Sequence, residues 1–193
     1  ADTQRARALM QALATGAPDS PEEVRAAFVG VLPDEAALRR GDVHSPSSAG
    51  AACAAPLGVQ ARLRGLKDLA CARWAGLLLQ SVAPHPVAQV AAIRICLGKD
   101  PEAVTGHGLL AAARRSAVDA ENLLGADDRV SSRLERVAGH LDDFPLDLQD
   151  VCSGTGSAAD EAFPFAVAMV ARSPQLVEAT MLAAVNVGGD AAA

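Results

Sequence analysis

Apolar residues recur at helical spacing along most of this chain, and this periodicity limits its fold more than any other feature. Leu9 and Leu13, with their neighbours, follow the i, i+3, i+4, i+7 pattern of an amphipathic helix. Val130 and Leu134 belong to a later helix of the same kind, which we predict to carry its charges on a solvated outer face. No stretch alternates apolar and polar residues as a half-buried strand would. The pattern predicts an all-α protein, an orthogonal bundle of about nine or ten helices.

The composition supports this fold class and argues against two kinds of partner. Half of the residues are hydrophobic, 3% are aromatic and none is Tyr. Since sheets favour β-branched and aromatic residues, this balance favours close-packed helices. The formal net charge is -6 and Lys and Arg form no concentrated stripe, which argues against nucleic acid as the main partner. No apolar run reaches the roughly 18 to 20 residues that cross a bilayer, so we predict no membrane span.

The cysteines bear on the cellular compartment. Cys53, Cys71, Cys96 and Cys152 are far apart, with no C-x-x-C motif and no His at metal-ligand spacing. They are predicted to be free thiols in a reducing compartment, although spacing alone leaves a disulfide open. The polar first residues do not resemble a signal peptide. We therefore predict a cytoplasmic protein.

Capping residues and small-residue segments divide the chain. We predict that Gly41–Gly58, which is rich in Gly, Ser, Pro and Ala, forms a loop. Asp100 and Ser173 each precede a proline, which is typical of helix N-termini. The helices predicted after this loop are Leu63–Leu79, Val87–Leu97, Pro101–Arg115, Val130–Leu141, Ala162–Ala171 and a last one that begins after Ser173-Pro174.

The last helix leads into a Gly-Gly turn that presents an acid. Val177, Met181, Ala184 and Val185 lie on one face of the helix at spacings of four, three and one, which predicts that this face is buried. Two glycines then place the Asp190 carboxylate after the turn. A ligand-binding carboxylate and an ordinary helix C-cap followed by a surface Asp both fit this pattern.

Four short stretches and one His-Pro pair, in a fixed order along the chain, resemble motifs of one family. They are Asp2-Thr3, the loop from Ser48 through Gly50 to Gly58, His85-Pro86, Gly154-x-Gly156-x-x-Ala159-x-Glu161-x-x-Pro164, and Gly188-Gly189-Asp190. Together they resemble the ADP-ribosylglycohydrolase family, an all-α family of magnesium-dependent hydrolases. The resemblance covers nearly the whole chain.

The resemblance implies a binding site for ADP-ribose or for an ADP-ribosylated protein. In the family, the early loop lies over the ADP-ribose. The substrate-binding residues implied here are Ser48, Gly50, His85, Gly154, Gly156 and Glu161. For Glu161 two roles stay open: it could hold the late glycine loop to the ligand, or pair with an Arg on a neighbouring helix. His85, which lies between two prolines, also suits a structural role.

The resemblance further implies magnesium, for which this chain has an incomplete set of ligands. Asp2, Thr3 and Asp190 match metal-ligand positions of the family, and magnesium takes such oxygen donors. Ala1 and Ala192 stand where further ligands belong, and a methyl group cannot coordinate a metal. We expect these losses to abolish at least one of the family's two ions. Asp2 and Thr3 equally suit an ordinary helix N-cap.

Departures from the family pattern concentrate on chemistry. Ser48 and Cys53 replace an asparagine and an arginine of the early loop, and Ala83 replaces a histidine near His85-Pro86. We therefore expect residues 1–193 to form one ADP-ribosylglycohydrolase-like domain that lacks the family's N-terminal and C-terminal segments. We expect a pseudoenzyme, impaired in catalysis, that acts as a binding or structural module. A protein partner that covers the chain ends is also expected, because such a core exposes apolar surface.

Two alternatives stay open. An active magnesium-dependent hydrolase would remove ADP-ribose from modified protein side chains, with Asp2, Thr3 and Asp190 around a single ion. An unrelated helical scaffold would owe its motifs to chance.

Overall fold

The computed structural model describes residues 54–67, 70, 105–155 and 159–188, with residues 10, 11, 13, 14 and 23 near the start of the chain. These residues contain helices and no strand, so the predicted all-α class is confirmed. In this part of the chain, every helix is too short or too polar to cross a membrane. The helices are α1 (Ala54–Leu63), α2 (Gly106–Leu124), α3 (Arg129–Ala138), α4 (Pro145–Val151), α5 (Ala159–Arg172) and α6 (Val177–Val187).

Helices α2, α3 and α5 pack against one another and enclose the main core. The buried face of α2 is rich in small residues, among which Ala113 and Ala117 are fully buried. Small side chains let neighbouring helices approach closely at interior packing density. Helix α3 contributes Val130 and Leu134, on the face that their spacing predicts. Helices α4 and α6 contact each other and α5 at the side of this core.

The start of α2 crosses α5 at very short range. A Cβ built on Gly106 would lie 1.9 Å from the carbonyl oxygen of Ala171, so no side chain fits there. The helix begins after Thr105, whose hydroxyl accepts a hydrogen bond from the Gly108 N–H at 3.0 Å. This N-cap satisfies one of the first amides of α2. Glycine at position 106 therefore sets how closely α2 and α5 pack.

A buried carboxylate joins α2 to α3. Glu121, near the end of α2, is 5% exposed, and its Oε1 accepts hydrogen bonds from the N–H groups of Val130 and Ser131 at 3.1 and 3.0 Å. These amides open α3 and have no partner within their own helix. A carboxylate at a helix N-terminus also interacts favourably with the helix dipole, so the arrangement is worth on the order of 1–2 kcal/mol. Gly125, with a φ of 61°, makes the turn between the two helices.

Helix α1 overlaps a segment that was predicted to be a loop. The prediction is wrong over Ala54–Gly58, which forms the first half of α1. Leu57 and Ala61, four residues apart, are each 3% exposed, and this burial outweighs the weak helix propensity of Gly58. Pro56 lies in the first turn, where its missing N–H costs no helical hydrogen bond.

The end of α1 also differs from the prediction. A helix was predicted to begin at Leu63, but α1 ends there. Gly65 follows with a φ of 62°, and the N–H groups of Gly65 and Leu66 donate to the carbonyl oxygens of Arg62 and Ala61. This paired arrangement with a left-handed glycine is a common helix terminator. Residues 71–104, which include the helix predicted over 87–97, lie outside the described residues.

Several other boundaries differ from the prediction: α3 ends at Ala138 instead of Leu141, α5 begins at Ala159 instead of Ala162, and α6 begins at Val177 rather than directly after Ser173-Pro174. The helix predicted to begin at Pro101 and end near Arg115 instead begins after Thr105 and runs to Leu124, because Ala117 and Ala120 continue its buried face. Helix α4 has no predicted counterpart. It is seven residues long and buries only Leu148 fully, so it leaves no periodic pattern in the sequence.

Helix α6 presents a different face to the core than the sequence predicts. The prediction is wrong for Val177, Met181 and Val185, which are 69%, 62% and 56% exposed, and only Ala184 of the predicted face packs against the core. The side that packs against the core carries Ala184 and Val187, with Ala183 beside them. Apolar residues surround this helix on nearly all sides, so spacing alone does not select the face that is buried. Small residues allow the closer approach to α5 and α4.

Adding one methyl group at position 106 tests the close packing of α2 against α5. We expect Gly106→Ala to lower the free energy of unfolding by about 1–3 kcal/mol or more, because backbone must move to admit the new Cβ. The midpoint and slope of urea unfolding measure this change.

Gly139→Ala is the matched control. Its Cβ would meet only the Arg136 carbonyl oxygen, at an ordinary 3.6 Å, and its φ is −82°. The control should stay within about 0.5 kcal/mol of wild type. Equal effects of the two substitutions would contradict the close crossing.

Candidate functional site

The candidate site is the glycine loop, residues 152–158 between α4 and α5, of which 152–155 are described. The N–H groups of Ser153 and Gly154 donate to the carbonyl oxygens of Asp150 and Gln149, at 3.0 and 2.9 Å. These two bonds close the end of α4 in the same manner as at α1. Ser153 occupies the left-handed position with a φ of 66°, where glycine is the usual residue. A Ser there costs roughly 1–2 kcal/mol, so its surroundings must hold it in place.

The backbone of the loop lies directly against a carboxylate. Gly154 has a φ of 134°, and a Cβ built on it would lie 2.8 Å from Oε2 of Glu161. Glycine suits this backbone conformation, and any Cβ at this position would require the Glu161 carboxylate to shift. Glu161 belongs to the first turn of α5 and is half-buried. Among the described residues, its carboxylate has no hydrogen-bond or ion-pair partner.

The neighbouring carboxylate has a different environment. Oδ2 of Asp160 accepts from Nη1 of Arg133 at 2.6 Å, and both side chains are only 13% exposed. Nη1 of Arg129 lies 3.9 Å from the same oxygen, while its Nε pairs with Asp127 at 2.7 Å. Of the two roles left open for Glu161, pairing with an Arg on a neighbouring helix is therefore taken by Asp160. Within the described ranges, no arginine or other partner binds the Glu161 carboxylate beside Gly154.

A second arginine of α3 contacts the other end of the loop. Nη2 of Arg136 donates to Oγ of Ser153 at 3.4 Å, in an exposed position. Arg133 was predicted to lie on a solvated outer face of α3, and that prediction is wrong for this residue, which is 13% exposed. Helix α3 thus contacts both sides of the glycine loop.

The cysteine at the start of the loop, Cys152, is expected to be unreactive. Cys152 is a free thiol that is completely buried. Burial raises the pKa of the Cys152 thiol to about 12, against the opposing effect of the Arg133 and Arg136 charges. The neutral thiol is therefore the form present in the folded protein near neutral pH.

The structure describes two of the residues that the sequence singles out. Gly154 and Glu161, two of the residues predicted to bind substrate, lie beside each other, and their role in binding stays a prediction. Asp160, Arg133 and Arg136 were missed, although the acid directly before Glu161 and the i, i+3 arginine spacing on α3 were visible signals. Outside the described residues lie Asp2, Thr3, Ser48, Gly50, His85, Gly156 and Asp190.

Metal binding was also predicted from the sequence. The described part of the chain contains no group of three His, Cys, Asp or Glu side chains that could hold a metal ion. The predicted ligands Asp2, Thr3 and Asp190 lie outside the described residues, so the magnesium site stays a prediction.

The raised pKa of Cys152 gives a test of the packing beneath the loop. In the native protein at mildly alkaline pH, Cys152 should resist alkylation by iodoacetamide, because the thiolate is the reactive form. Peptide mapping by mass spectrometry, with urea-unfolded protein as the reference, measures the labelled fraction. Rapid labelling of native Cys152 would contradict its burial.

The same thiol predicts a pH dependence of stability. Its folded pKa of about 12 exceeds the unfolded value of about 8.5, so its contribution is complete below the unfolded value and is lost as pH rises toward the folded one. Cys152→Ala should flatten this alkaline decline, which urea unfolding across the pH series would measure.

Comparison with known proteins extends these observations to the whole chain. A comparison with curated proteins finds no match. A family model described as ADP-ribosylglycohydrolase matches residues 1–193. Since the match covers the entire chain and the fold is helical throughout the described ranges, this chain belongs to the ADP-ribosylglycohydrolase family.

Proposed function

We propose that this ADP-ribosylglycohydrolase-family protein binds ADP-ribose, or an ADP-ribosylated side chain of another protein, through its glycine loop. We further propose that it is impaired in hydrolysis and acts as a binding module. One observation carries the binding proposal: the contact between Gly154 and the Glu161 carboxylate, which has no protein partner among the described residues. A bare backbone beside an available carboxylate suits close approach of a ligand.

The charge of Glu161 indicates which part of the ligand it would meet. ADP-ribose carries an anionic diphosphate and two riboses whose hydroxyl groups donate hydrogen bonds. An ionised carboxylate accepts hydrogen bonds and repels phosphate, so a ribose hydroxyl is the better partner. Asp160 is neutralised by Arg133 and does not compete for this role. We therefore assign Glu161 to a ribose and leave the diphosphate to groups elsewhere in the site.

The proposal of impaired hydrolysis rests on the donor set for magnesium. Asp2, Thr3 and Asp190 offer two carboxylates and one hydroxyl, which suit one hard cation that keeps several waters. Ala1, Ala192 and Ala193 offer no side-chain oxygen. In this family magnesium supplies Lewis-acid polarisation of the ribose hydroxyls when it is bound. A second ion lacks its ligands in this set, and this supports binding without efficient turnover.

Calorimetric titration of ADP-ribose, once with magnesium at millimolar concentration and once with a chelator, tests the proposed function. We expect binding in both conditions and no release of ADP-ribose from an ADP-ribosylated protein over the same interval. Binding that requires magnesium, together with release of ADP-ribose, would establish an active hydrolase instead. Absence of binding in both conditions would overturn the proposal.

Gly154→Ala tests the loop itself. The added Cβ would lie 2.8 Å from Oε2 of Glu161 and must displace this carboxylate, so we expect ADP-ribose affinity to fall by about tenfold or more. Gly125→Ala is the control, because it also places a side chain at positive φ, here 61°, but meets nothing within 4 Å. The control should lose stability and keep its affinity. Unchanged affinity in Gly154→Ala would remove the loop from the binding site.

A further inference from the structure

Three arginines of α3 lie on the side of the helix that faces the glycine loop. Arg129, Arg133 and Arg136 are spaced four and three residues apart, so they share one face. Arg133 and Arg136 make the contacts that reach the loop and the start of α5, whereas Arg129 lies at the margin, 63% exposed.

The two contacts are placed at opposite ends of the loop. Arg136 donates to Ser153, the residue whose left-handed backbone ends α4. Arg133 binds Asp160 in the first turn of α5. Helix α3 therefore contacts Ser153, near the start of the loop, and Asp160, just after its end.

The Arg133 contact also determines the direction of Glu161. Asp160 and Glu161 are consecutive residues of a helix and so point about 100° apart around its axis. Holding Asp160 against α3 sets the rotation of the first turn of α5, and with it the direction of the next side chain. The side chains of Arg133 and Asp160 are each only 13% exposed, so water has little access to compete for their hydrogen bond. The geometry of this pair is therefore held more tightly than that of an exposed ion pair.

We propose that Arg133 and Arg136 are positioning residues that hold Ser153 at the start of the loop and Asp160 in the first turn of α5, and so keep Glu161 beside Gly154 in its ligand-binding arrangement. The arginines need not touch the ligand; they act through Asp160 and Ser153. The part of this inference that concerns the ligand rests on the proposed function, whereas the part that concerns the loop stands without it.

Hydrogen exchange of the full chain tests the loop. The amides of Ser153 and Gly154 are hydrogen-bonded, so peptides that cover residues 150–162 report on them. We expect about tenfold faster exchange in these peptides for Arg133→Met and for Arg136→Met, with peptides of α2 unchanged. Arg133→Lys keeps a cation beside Asp160 and should recover part of the lost protection. Since Arg136 is exposed, its variant tests the idea even if Arg133→Met folds poorly.

Arg114→Met is the matched control. Arg114 joins α2 to α3 through Glu135 at 3.0 Å, and both side chains are well exposed. The Arg114→Met variant removes an ion pair of α3 that does not contact the loop. Hydrogen exchange of its residues 150–162 should therefore equal that of wild type. Calorimetry with ADP-ribose should show about tenfold weaker binding for Arg133→Met and Arg136→Met and no change for Arg114→Met.

The outcomes separate this inference from the proposed function. Unchanged exchange, or a uniform rise across all peptides, would overturn the positioning role and leave the Arg133 pair as a general stabiliser. Faster loop exchange with unchanged affinity would overturn the ligand part alone. If wild type binds no ADP-ribose, the proposed function fails, while the exchange measurements still decide whether the arginines hold the loop.

Discussion

The position of the candidate site depends on the hydrogen bonds that the buried Glu121 carboxylate accepts from the start of α3. This carboxylate satisfies the first amides of α3, which lie in the interior and cannot be left without partners at little cost. By tying the end of α2 to the start of α3, it places α3 in register with the core. The residues that α3 directs toward the glycine loop, Arg133 and Arg136, take their positions from that register. A buried contact of Glu121 thus helps to position the arginines of α3 that bind Ser153 and Asp160.

The consecutive acids Asp160 and Glu161 differ in their interactions because their surroundings differ. Asp160 is paired with Arg133 in a mostly buried position, and Glu161 lies against the Gly154 backbone without a partner in the described structure. Neutralising one acid limits the negative charge at the start of α5. The other remains able to accept a hydrogen bond. This division supports a ribose hydroxyl, rather than a phosphate, as the group that Glu161 would bind.

Prediction succeeded where local pattern and tertiary packing agree. The stripe of Val130 and Leu134 is buried as its spacing indicates, because polar residues on the other face leave only one way to pack it. It failed for α6, where apolar residues surround the helix and the exposed Met181 was predicted to be buried. It also missed α4, whose seven residues are too few to show a period. The glycine-loop motif singled out Gly154 and Glu161, whose role in binding stays a prediction, and nothing local distinguished Asp160 from a solvated acid.

The sequence by itself determined the helical class, the family resemblance and the glycine loop, since periodicity, composition and motif spacing are properties of neighbouring residues. The tertiary structure decided which face of α6 is buried, that Gly106 must lack a side chain because Ala171 lies so near, and that Arg133 pairs with Asp160. These contacts join residues far apart in the chain. Their energies depend on distance and burial, which only the packed arrangement of α2, α3 and α5 supplies.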